Sequence, residues 1–262
     1  MSNDSAQKTI GIALAVCLIC SILVATAAVG LRKIQKANQN REKIKNILMA
    51  GGIDFKNKNL QKVYHKKIRS ELIELKSGRT LLKSEYKEDL QPETFDIKTT
   101  PYKRRIDPDK DLAKIQYIPI YMVVYQVIEK DRMDKIILPI YGKGLWSTMY
   151  GFIALDRDLK TIKGFTFYEQ GETPGLGGEV DNPRWKRIWV GKQAFDSDGH
   201  VRIRVIKGKV DPDSPDAKYE IDGLSGSTLT TRGVDQMIQF WLGENGYEPF
   251  LNKLREQLSL DS

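Results

Sequence analysis

Hydrophobic and polar positions divide the chain into three regimes. Over 10–31 the sequence holds no charged residue, only aliphatic, small and hydroxyl side chains with two cysteines. At about 1.5 Å per helical residue, such a run crosses the roughly 30 Å hydrocarbon core of a bilayer. It is longer than the apolar region of a secretory signal, and Ala25-Thr26-Ala27 is its nearest approach to a cleavage site. It predicts a retained transmembrane helix at 10–31 behind a short tail at 1–9. The helical pattern continues over 33–49 through Ile34, Ile44, Ile47 and Leu48, and Gly51-Gly52 is a stop signal. A second helix is predicted over 60–75 from Val63, Ile68, Leu72, Ile73 and Leu75. The charged stretch 82–111, with Pro92, Pro101 and Pro108, predicts a long surface connection.

From Ile118 the period changes to that of strands. Runs rich in β-branched and aromatic residues predict strands over 121–128, 135–141, 148–155, 161–169, 201–206 and 218–221. Short turns at 131–134 and 156–158 imply an antiparallel, twisted sheet. Val234, Met237, Ile238, Trp241 and Leu242 then recur at helical spacing, and another helix is predicted near 249–260. The class is α+β: one N-terminal transmembrane helix, a helical and linker region at 32–116 packed on the domain, and a sheet domain flanked by helices at 117–262.

Charge and composition narrow the chemistry. The net charge is +8 from 42 Lys and Arg against 34 Asp and Glu. The cations alternate with anions, as in 56–87, so the balance reads as a solvated surface and not as a nucleic-acid stripe. Both cysteines, Cys17 and Cys20, lie in the apolar run, and His65 and His200 are the only histidines. A thiolate or His/Cys metal centre and a Ser-His-Asp triad are therefore disfavoured. No catalytic residue and no metal ligand is assigned, and the chemistry is expected to belong to a bound cofactor.

Three glycine-rich stretches remain. They are Gly142-Lys143-Gly144-Leu145-Trp146, Gly171-Glu172-Thr173-Pro174-Gly175-Leu176-Gly177-Gly178, and Asp222-Gly223-Leu224-Ser225-Gly226-Ser227-Thr228-Leu229-Thr230-Thr231-Arg232-Gly233. None fits a dinucleotide fingerprint, a phosphate-binding P-loop or a nucleophile elbow. The third opens a helix. Its unpaired N–H groups and the helix dipole favour an anion by roughly 0.3–1 kcal/mol. Simple capping by Thr230 or Thr231 explains the same residues without a ligand.

Together, the Gly144-Leu145-Trp146 loop, the Glu172-to-Gly177 loop, the Ser225-to-Thr228 turn, the helix around Asn46-Ile47-Leu48 and the lone N-terminal helix resemble a known family. It is that of the C subunits of the bacterial sodium-translocating NADH:quinone reductases. The G subunits of Rnf complexes, which share the FMN-binding domain, are more distantly similar. The resemblance covers nearly the whole chain. It implies an electron-carrier subunit in a membrane complex that oxidises NADH, reduces ubiquinone and exports Na⁺, with no independent catalysis by this chain.

The resemblance further implies one covalent FMN, held by a phosphoester to Thr228, the last residue of a motif that is usually Ser-Gly-Ala-Thr. Here Ser227 stands where Ala is usual. A separate flavin transferase that cleaves FAD would make the bond and recognise Asp222, Gly223 and Leu224. Ser225, Gly226, Ser227, Leu229 and Thr230 would surround the phosphate. Leu145, Trp146 and Leu176 would face the ring. Glu172, Thr173 and the backbone of Gly175 and Gly177 would meet its edge, and Lys207 is either at the edge or the phosphate or a plain surface lysine. Implied partners are the other subunits of the complex.

The implied location is the bacterial inner membrane with the domain in the periplasm. The cations after the apolar run (Arg32, Lys33, Lys36, Arg41, Lys43, Lys45) against Lys8 before it argue the reverse. A membrane-tethered, non-catalytic module for a phosphorylated ligand is the alternative. A hydrolase using Ser225 or Ser227 ranks last, because the sequence offers so few bases.

Overall fold

The computed structural model describes residues 6–260. Of the expected tail, 1–5 lie outside the described residues and 6–9 begin the first helix, α1 (Ala6–Ala50). Its segment Lys8–Arg32 is long and apolar enough to cross a membrane, and none of it is buried. The chain divides into two compact units at Lys43/Ile44. The second unit opens with the last turns of α1, where Ile47 and Leu48 are fully buried. The predicted stop holds: Gly52 takes a φ of 65°, and Ile53 N–H donates to the Leu48 carbonyl at 2.9 Å.

The predicted helix over 60–75 ends halfway. Asn59 caps α2 (Leu60–Lys67) by accepting from Lys62 N–H, and the chain then extends as β1 (Ile68–Glu74). Apolar residues at 68, 72, 73 and 75 suit a helix face as well as a strand. Pairing of every β1 residue with β5 (Tyr121–Glu129) decides for the strand. The stretch 82–111 is also more than a surface connection. After β2 (Arg79–Thr80) it buries Leu90, Phe95, Ile97 and Ile106 and supplies β3 (Lys103–Arg105), which pairs with β4 (Tyr117–Pro119). Prolines and charges mask those widely spaced apolar contacts in the sequence.

The main sheet adds β6 (Arg132–Lys143), β7 (Thr148–Asp156) and β8 (Ile162–Glu169), in the order β2-β1-β5-β6-β7-β8, all antiparallel. Continuous burial of 136–142 in β6 and 151–155 in β7 means that both sheet faces are covered. After a short helix α3 (Pro183–Arg187), the expected strand over 201–206 shrinks to β9 (Arg204–Val205). It pairs with β10 (Glu220–Ile221), and the pairing is parallel. The expected strand start at 218 falls in a 3₁₀ turn, Ala217–Tyr219.

Helices α4 (Thr228–Leu242) and α5 (Glu248–Leu260) complete the unit. The fully buried Trp241 donates its indole N–H to the Tyr141 carbonyl at 2.6 Å, and Tyr247 donates its hydroxyl to the Pro139 carbonyl at 2.6 Å. Each such aromatic removes about 150–250 Å² from water, roughly 4–6 kcal/mol before entropy is counted. These contacts fix α4 against β6, whose end leads into the loop at 144–147.

Candidate cofactor site

Three loops meet beside the start of α4, and Glu172 joins them. Its side chain is buried, yet both carboxylate oxygens have donors. Oε1 accepts from the N–H of Trp146 at 3.0 Å and of Ser147 at 3.1 Å, and from the Ser147 hydroxyl at 3.4 Å. Oε2 accepts from Leu145 N–H at 3.1 Å and from the Thr230 hydroxyl at 2.6 Å. Burial pushes the Glu172 carboxyl up. The Thr230 hydroxyl and the N–H groups of Trp146, Ser147 and Leu145 outweigh that, and its pKa lies below the ordinary carboxylate value. The group is therefore an anion whose charge is absorbed inside the junction.

The junction needs two residues without side chains. A Cβ on Gly144 would lie 2.5 Å from Glu172 Oε1, and one on Gly177 would lie 2.5 Å from Thr230 Oγ1. Glycine is required here for close approach, which accounts for the restricted composition of both loops.

Helix α4 begins at Thr228, with Ser227 as the N-cap residue and no side-chain capping bond. Thr230 and Thr231 are thus inside the first turn and do not cap it. Ser227 instead donates its hydroxyl to Thr230 Oγ1 at 3.0 Å, extending the chain to Glu172. Thr231 Oγ1 accepts from Leu224 N–H at 3.0 Å and holds the preceding turn, in which Gly226 has a φ of 72°. The first N–H groups of an α-helix have no intrahelical acceptor, so this end is open to an anion. The Thr228 side chain is exposed there.

A cleft of about 410 Å³ opens at that point. That is within the range of about 300–1,000 Å³ usual for small-molecule sites. Leu145, Trp146, Thr173, Leu176, Gly177, Gly226, Ser227, Thr228, Leu229 and Thr230 line it, with Glu172 behind. Four large apolar side chains stand at its lips, Leu145 41%, Trp146 67%, Leu176 45% and Leu229 55% exposed. Such a cluster of exposed apolar groups marks a binding surface. An open helix N-terminus, a free hydroxyl and an apolar rim suit a ligand with an anionic end and a flat body.

An FMN-binding domain model matches residues 144–243, from the β6–β7 loop to the end of α4. Along nearly the full chain, relatives named as the C subunit of Na⁺-translocating NADH-quinone reductase are similar. The Pseudomonas aeruginosa protein is 41% identical, over 97% of this chain and 98% of its own. That of Yersinia pestis is 42% identical over 97% and 95%. The crystal structure of Shewanella oneidensis NqrC superposes with a TM-score of 0.75 at 33% identity, covering 84% of this chain and 99% of the other. The chain belongs to the NqrC family of the Na⁺-translocating NADH-quinone reductases. Its fold is the α+β FMN-binding fold of that family, and its cofactor is FMN.

Within this family member, the structure brings most of the predicted site residues into one cleft. Ser225 and Gly175 line neither that cleft nor its neighbour. Lys207 lines the neighbour, a cleft of about 580 Å³ on another side of α4 that shares Thr228. Glu172 is expected at the ligand's edge, and its oxygens are found holding the Leu145–Ser147 loop. Asp222 is likewise occupied: its carboxylate accepts from Val210 N–H at 2.8 Å and its carbonyl from the Trp185 indole at 2.8 Å.

Two residues escape a reading of the sequence. Ser147 ties the loops together by accepting from Gly171 N–H at 2.8 Å. Asp235, buried in α4, accepts two bonds from Arg204 Nε at 3.0 and 3.2 Å, a third from Nη2 at 2.9 Å, and one from Val205 N–H at 2.9 Å. A lone carboxylate within an apolar helical pattern is a signal for such a partner. Ser147 gives no comparable signal.

Proposed function

We propose that this chain is the flavin-carrying electron-transfer subunit of a bacterial Na⁺-translocating NADH-quinone reductase, and that one FMN is held through a phosphoester on Thr228. The observation that carries the attachment is the exposed Thr228 hydroxyl, placed at an uncapped helix N-terminus and at the mouth of the apolar-lipped cleft. FMN, when bound, supplies reversible electron transfer. Leu145, Trp146 and Leu176 would offer apolar contact to its ring, and the first-turn N–H groups of α4 would stabilise its phosphoryl charge.

Ser227 supports the choice of Thr228. Its side chain is buried and its hydroxyl is engaged with Thr230, so it does not compete as the acceptor. A separate transferase makes the bond: Thr228 Oγ joins the flavin-side phosphorus of FAD, the diphosphate P–O bond breaks, AMP leaves and the hydroxyl proton passes to solvent. Glu172 holds the ring-facing loop and the first turn of α4 in one register during this and afterwards. The domain lies in the periplasm, where that transferase works, and a reporter fused after Ser262 is active only if exported.

The test of attachment is denaturing electrophoresis of the chain made with the transferase. The wild type fluoresces under ultraviolet light and Thr228→Val does not. Fluorescence that persists in Thr228→Val contradicts the assignment.

A further inference from the structure

The neighbouring cleft shares Thr228 with the cofactor cleft, but none of Leu145, Trp146, Leu176 and Leu229 lines it. It runs along one face of α4, where Thr228, Thr231, Arg232, Asp235, Gln236 and Gln239 recur at helical spacing. Those eleven steps span about 16 Å at about 1.5 Å each. The opposite wall is the segment 204–208, and Leu112, Val205 and Leu224 add apolar surface.

The charges in this cleft do not cancel. Arg204 is neutralised by Asp235. Lys207 and Arg232 are exposed, and their side chains make no ion pair or hydrogen bond among the described residues. One stands on each wall, which leaves two uncompensated cations beside an apolar strip. A single small anion would use one end of such a groove. An extended segment with a carboxylate and apolar neighbours would use its length, its charge and its strip together.

We propose that this cleft is a docking groove for an acidic segment of another subunit of the reductase, with a carboxylate between Lys207 and Arg232. The inference rests on the reading of the chain as a subunit of that complex. Because the groove shares Thr228 with the cofactor cleft, a segment lodged in it holds the partner beside the flavin attachment point.

The experiment uses the full chain expressed with its partner subunits, with photoreactive p-benzoylphenylalanine incorporated at position 236. Irradiation of membranes is expected to give a crosslink to another subunit, in a peptide containing Asp or Glu. Arg232→Glu should cut the yield at least tenfold with in-gel flavin fluorescence unchanged, whereas Arg232→Lys should retain it. No crosslink, a crosslinked peptide without a carboxylate, or a yield indifferent to Arg232→Glu overturns the proposal. Flavin lost together with the crosslink assigns these cations to the cofactor phosphate and overturns it too. The flavin readout keeps a failure of docking distinct from a failure of the FMN assignment.

Discussion

Replacing Glu172 by Gln keeps the shape of the junction and removes its charge. The carboxylate accepts from three loop N–H groups and two hydroxyls. A glutamine has one accepting oxygen. If that oxygen keeps the Trp146 and Ser147 N–H groups, the amide NH₂ must face Leu145 N–H, where the bond is lost, and the Thr230 hydroxyl, which can only accept from it in place of donating to a charged oxygen. The Leu145 side of the loop is solvent-accessible, so its N–H can turn to water at small cost. Thr230 is fully buried and has no water to turn to, so its charge-assisted bond is replaced by a weaker neutral one in which it accepts from the amide. A hydrogen bond to a charged group contributes about 1.5–3 kcal/mol, and water recovers part of it at the exposed end.

The net loss in Glu172→Gln is therefore about 2–3 kcal/mol. For a unit of this size, at about 2–4 °C per kcal/mol, Tm falls by roughly 4–12 °C. The assay is thermal melting by circular dichroism across a pH series. Because the fold lowers the Glu172 pKa, its contribution is complete above the ordinary carboxylate value and is lost as pH falls through the folded value. The gap between wild type and variant should be constant near neutrality and close in acid. Equal melting at pH 7, or a gap that widens in acid, refutes this account of the junction.

Two other substitutions probe the same place. Ser227→Ala removes one hydroxyl–hydroxyl bond, should cost about 0.5–1.5 kcal/mol in a urea melt, and should leave in-gel flavin fluorescence intact. Gly177→Ala forces a methyl to within 2.5 Å of Thr230 Oγ1. It should cost about 1–3 kcal/mol and reduce flavin incorporation, as measured by melting and fluorescence on one preparation.

The legible and illegible parts of the chain differ for physical reasons. Strands β5 to β8 have long β-branched and aromatic runs joined by short turns, and local pattern is enough to find them. Strand β1 reads as helix from its own residues because its stabilising partner, β5, lies some fifty residues away. Strands β9 and β10 are two residues each, too short for any periodicity, and exist only because they pair with each other. In the site, glycine and hydroxyl content points to the right loops. The role of Glu172 does not show, because it depends on N–H groups from a loop 25 to 27 residues away. The start of α4 is hidden for a similar reason: Thr228 to Gly233 carry no apolar stripe, and tertiary contacts hold them helical.

The most direct test of the central claim is mass spectrometry of the tryptic peptide 219–232 from the chain purified out of its native membrane. The peptide should carry FMN less one water, with fragmentation placing the added mass on Thr228. An unmodified peptide from a preparation that retains flavin absorbance, or the same mass on Ser225 or Ser227, would contradict it.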